Sequence, residues 1–80
     1  MPKEKPVHEV RMGRIKGVIW HNQTPLGSSR HNVQIVRLYK DDKDGQWKDS
    51  DSFGRDDLPL VVRVAEQCFT WIYQRAQDEV

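Results

Sequence analysis

"RIKGVIWHN", residues 14–22, divides into two rows once it is read as a β-strand. Side chains alternate across a strand, so Ile15, Gly17 and Ile19 share one face while Arg14, Lys16, Val18 and Trp20 share the other. The first row reads as core. The second, two cations and a tryptophan, is not the composition of a plain solvated face.

Downstream, a strand over about 11–22 is followed by "TPLGSSRHN" (24–32), whose Pro, Gly, Ser and Asn mark a loop. "NVQIVRLYK" (32–40) is dense in β-branched and aromatic residues and reads as a second strand. "DDKDG" (41–45) is a turn, and "QWKDSDSF" (46–53) a more polar third strand. From Leu58 the period changes. Val61, Val62, Ala65, Cys68, Phe69, Ile72, Tyr73 and Ala76 recur at helical spacing, with Asp56 and Asp57 at the N-terminus and Pro59 in the first turn. About 20 helical residues run roughly 30 Å, more than three short strands cover, so part of this face should meet something else.

Pairing the second and third strands with Lys40 opposite Gln46 sets Tyr39 against Trp47, Arg37 against Asp49, Ile35 against Asp51 and Val33 against Phe53. This set is assigned to the helix side. The other set (Gln34, Val36, Leu38, Lys40, Gln46, Lys48, Ser50, Ser52) contains no acid and is assigned to the open side. A slip of one residue would exchange the two. On this reading Arg14, Lys16, Trp20, Lys40 and Lys48, with Arg30 in the adjoining loop, form a basic face carrying an indole. Cations along extended strands follow phosphates, and an aromatic ring stacks a base with little regard to sequence.

The charge distribution points the same way. Residues 1–40 hold eight Lys or Arg against two acids, and residues 41–80 hold five against ten, although the formal net charge is only +1. A local positive field suits an anionic polymer. Cys68 is the sole cysteine, so no disulfide forms within the chain. His8, His21 and His31 lack metal-ligand spacing, the acidic segments do not match a calcium loop, and Ser28 and Ser29 have no nucleophile-elbow context. Neither an enzyme, a cofactor, a metal nor a small-molecule substrate is expected. No apolar run approaches the roughly 20 residues of a membrane span, and the N-terminus lacks the apolar stretch of a signal peptide. Residues 1–9 read as a flexible tail, 10–77 as one domain and 78–80 as a C-terminal tail, in a cytoplasmic protein with nucleoid association left open. A core this small seldom leaves more than roughly 3–5 kcal/mol of net stability, which favours a partner subunit.

The order "GRIKGVIW", "NVQIVRLYKD", an acidic turn with glycine, "QWKDSDSF" and an acid-capped helix resembles the Positive Cofactor Four family of coactivator domains over residues 13–76. The resemblance implies a homodimer packed through the C-terminal helices, placing Val61, Ala65, Cys68, Phe69, Ile72 and Tyr73 at the interface. It further implies curved sheets that bind single-stranded DNA without strict sequence preference. Arg14 and Lys16 match the first-strand basic positions, Lys48 a basic position on the return strand, and Tyr39 the family's aromatic contact, against the face given to Tyr39 by register. Asp49 and Asp51 stand where the family is more basic.

The expectation is therefore an α+β fold: a curved antiparallel β-sheet of three to four strands followed by one long amphipathic helix, dimeric through that helix. Its expected ligand is single-stranded DNA or RNA, with DNA favoured, in transcription regulation or DNA maintenance. The alternative is a protein–protein adaptor of the same fold whose basic face meets an acidic partner.

Overall fold

The computed structural model describes residues 5–23 and 29–78. Four strands, β1 (His8–Met12), β2 (Ile15–Gln23), β3 (Ser29–Lys40) and β4 (Trp47–Ser50), form one antiparallel sheet in the order β1-β2-β3-β4. A 3₁₀ turn at Arg55–Asp57 leads into the helix α1 (Leu58–Asp78), which lies across one face of β1, β2 and β3. The fold is α+β, as the sequence predicts.

The helix-covered face is built by the row that opened the sequence. Ile15 and Ile19 are fully buried, and with Val10, Val64 and Cys68 they form the core. Met12, Ile35, Phe53, Leu60, Val61, Trp71 and Ile72 pack around that cluster. Gly17 lies between the two isoleucines because the helix comes closest there. A Cβ at Gly17 would sit 2.6 Å from Val64 Cγ1 and 2.8 Å from Cys68 Sγ. Only the missing side chain lets α1 seat on β2.

Several boundaries differ from the sequence reading. The single strand expected over 11–22 is two strands, broken where Gly13 takes φ 61° and reverses the chain. Val10 then pairs with Gly17, and His8 and Glu9, assigned to the tail, pair with Ile19 and Val18. Residues 1–4 of that tail, residues 24–28 of the expected loop and residues 79–80 lie outside the described residues. The end of that loop, Ser29–Asn32, is already strand and pairs with β2.

The most consequential difference is the register of the β3–β4 hairpin. Asp41 N donates to Gln46 O at 2.9 Å, so the loop closes over Asp42–Gly45. Gly45 supplies the left-handed residue (φ 71°), and the carboxylates of Asp41 and Asp44 accept from the backbone of Lys43 and Gln46. That four-residue loop shifts the pairing by one: Lys40 opposes Trp47, Tyr39 opposes Lys48, Leu38 opposes Asp49 and Arg37 opposes Ser50. The expected pairs of Lys40 with Gln46 and Tyr39 with Trp47 do not form, nor do those of Arg37, Ile35 and Val33. Every side chain of β4 changes face. β4 spans 4 residues beside a β3 of 12, so past Ser50 β3 is paired only with β2 among the described residues.

Candidate nucleic-acid interface

Alternation from the buried Ile15 and Ile19 assigns the faces. The side away from the helix carries Glu9 and Arg11 from β1; Lys16, Val18, Trp20 and Asn22 from β2; and even-numbered β3 residues from Arg30 to Lys40. The observed register adds Trp47 and Asp49 from β4. Val18 and Val36 sit low in this face, 7% and 5% exposed, and leave the longer polar side chains standing around an apolar floor. Trp47 is 67% exposed. Along β3, the partners of the two tryptophans, Asn32 for Trp20 and Lys40 for Trp47, are eight residues apart, about 27 Å at strand rise. One indole thus stands toward each end of the face, with Arg11, Lys16, Arg30 and Lys40 as its cations.

Lys16, Trp20 and Lys40 lie where the sequence reading placed them, and Arg30, expected in the adjoining loop, joins the same face from within β3. Lys16 also reaches Glu9, with Nζ 3.6 Å from Oε1. Three other residues do not join this face. Arg14 belongs to the β1–β2 turn, and its Nε donates to Asp57 Oδ1 at 2.8 Å on the helix side. Lys48 faces the helix side as well, with Nζ 2.7 Å from Asp41 Oδ2 and 3.3 Å from Asp44 Oδ2. These contacts raise the Lys48 ammonium pKa, Asp41 contributing most, and hold Asp41 below the usual carboxylate range. Tyr39 also lies on the helix side, with the Arg37 guanidinium 5.6 Å from its ring centroid. The open face is also not free of acid, because Glu9 and Asp49 stand on it.

Trp47 was missed because the sequence reading put it in the core. Its signal was the hairpin loop: a four-residue closure ending in glycine turns the indole outward. Arg11 was missed because the break at Gly13 is invisible in an alternation that runs straight through it.

Asp57 carries a second constellation, at the start of the helix. It is 2% exposed. Its Oδ2 accepts from Gly54 N at 2.9 Å and lies 3.8 Å from Arg37 Nε, while its Oδ1 takes the Arg14 bond. The Gly54 amide first, and then Arg14, hold the carboxyl below its ordinary range. One carboxylate therefore ties the β1–β2 turn, β3 and the entry to α1 together and holds Arg14 on the helix side, although 57% of the Arg14 side chain stays exposed.

On α1 the expected interface divides in two. Cys68 is 1% exposed and belongs to the chain's own core, where burial raises its thiol pKa. Val61 and Ile72 pack against that same core. The stripe left uncovered is Leu58, Val62, Ala65, Phe69 and Tyr73, with Phe69 65% exposed and its ring 5.7 Å from that of Tyr73. No helix among the described residues is long and apolar enough to cross a membrane.

These features define a class: a small α+β domain with a helix-backed antiparallel sheet and one uncovered face bearing cations and indoles. No family model, curated protein or solved structure matches the chain.

Proposed function

We propose that the chain binds single-stranded nucleic acid, DNA in preference to RNA and with little sequence specificity, on the open sheet face. The observation that carries this is the pair of tryptophans about 27 Å apart along the strands, set among Arg11, Lys16, Arg30 and Lys40 on a face no helix covers. Each indole offers a stacking platform, and each cation a partner for phosphate. The breadth of this surface suits an extended strand. A duplex is usually read by a helix or ribbon in its major groove, and the one helix here backs the sheet. The resemblance to the Positive Cofactor Four family carries the same expectation, with a role in transcription regulation or DNA maintenance and a homodimer formed along α1. The role is binding, not catalysis.

Tryptophan fluorescence tests the proposal, in titrations with single-stranded and double-stranded oligonucleotides of equal length at two salt concentrations. Quenching by single strands alone, weakened by salt, is the expected result. Trp47→Ala should weaken that binding about tenfold, within the roughly 1–3 kcal/mol that one stacked base contributes. Equal quenching by both forms, or none by either, would overturn it. The same cations, Arg11, Lys16, Arg30 and Lys40, also suit a second reading, an adaptor for an acidic protein surface, which predicts weak, length-independent attraction to any polyanion.

A further inference from the structure

On the helix-covered side, at the end of β2 and β3, a cleft of about 240 Å³ is lined by Val7, His21, His31, Trp71 and Arg75. His21 and His31 are direct partners across the sheet, with ring centroids 4.9 Å apart. His31 meets Trp71 edge-on at 6.0 Å, and His8 stacks on Trp71 at 4.8 Å with the planes 8° apart. The Arg75 guanidinium lies 4.7 Å from the Trp71 ring centroid. Packing accounts for Trp71, which extends the core, and for His8, which lies against it. It does not account for an exposed His21, a half-buried His31 and an exposed Arg75 sharing one concavity.

We propose that this cleft binds a phosphate group, held by the imidazoles of His21 and His31 and the guanidinium of Arg75 over an apolar floor of Trp71 and Val7. The donor inventory carries the argument. A neutral imidazole donates one N–H and a charged one two, and a guanidinium presents five in a fork that matches phosphate oxygens. Among the described residues, no carboxylate lines the cleft. A metal ion fits less well, since no set of three metal-ligating side chains converges among the described residues. The site is independent of the open-face proposal, because His21 and His31 point to the opposite side of the sheet from Trp20 and Arg30. Two sources share this chemistry: a small free phosphate, and the terminal phosphate of a strand passing over this end of the sheet, where Arg30 and Asn22 are the next pair.

The test is an NMR titration of the full chain with inorganic phosphate at fixed pH and ionic strength. Saturable shifts of the His21 and His31 rings and the Trp71 indole are expected. Arg75→Gln and His21→Gln, both at exposed positions, should each weaken binding about tenfold, the scale of one charge-assisted hydrogen bond. A linear, non-saturating response, equal affinity in both variants, or saturation by zinc with none by phosphate would overturn the site. A chain with Trp20→Phe and Trp47→Phe keeps Trp71 as its only tryptophan and lacks both open-face indoles, so its response is separate from that face. Tighter binding of a 5′-phosphorylated oligonucleotide than of its 5′-hydroxyl form would assign the phosphate to a nucleic-acid end. Equal response, with phosphate still binding, would assign it to a small free phosphate.

Discussion

Asp57 gathers a turn, a strand and a helix entry onto one buried carboxylate, and its charge is part of the fold. Folding holds its carboxyl below the usual range, so as pH falls the unfolded chain takes up the proton first. The stabilisation is complete above the ordinary carboxylate value of about 3.9 and is lost as pH drops through the folded value. Asp57→Asn should lower the melting temperature at neutral pH and flatten its fall toward acid, because Arg14 and Arg37 lose their shared partner. Parallel acid profiles of the two proteins, followed by circular dichroism, would refute that role. Gly17 is the other single residue on which assembly turns. With Val64 and Cys68 inside 3 Å of any added Cβ, Gly17→Ala should cost roughly 1–3 kcal/mol, read as a lower urea midpoint at unchanged slope. Gly17 was legible in the sequence only as a member of the buried row. Its contact with the helix was not, since local alternation says nothing about which residue a distant element will cross.

Elements were legible where a period persists. The helix over Leu58–Asp78 declared itself through its repeating apolar positions, and β2 through its alternation. What local pattern could not supply was phase. One residue of loop length decides which side of β4 looks outward, and both phases leave a plausible row of side chains. Likewise the apolar stripe of α1 looked single in the sequence, whereas half of it, including Cys68, is consumed by the chain's own sheet. The uncovered half is where a second copy is expected. Phe69→Glu should lower the mass measured by light scattering from dimer to monomer while leaving circular dichroism unchanged, since Phe69 makes no contribution to the buried core. An unchanged mass would place the contact elsewhere.

For the whole molecule, the segregation of charge along the chain survives folding only in part. Acids of the second half turn back on cations: Asp57 on Arg14 and Arg37, and Asp41 and Asp44 on Lys48. What reaches the open face is therefore a smaller positive surplus than the first 40 residues imply. The topology also leaves one border of the sheet unfinished, because β4 stops at Ser50 while β3 begins at Ser29. Leu38 N donates to Arg14 O just before β2, and Asp41 N to Gln46 O in the hairpin, so even-numbered amides of β3 point to β2 and odd-numbered ones the other way. The N–H groups of His31, Val33 and Ile35 thus face a side with no strand among the described residues. In heavy water these three should take up deuterium at loop-like rates while Asn32, Gln34 and Val36 between them stay protonated. That every-other-residue pattern would mark a strand zipped along one selvedge and loose along the other.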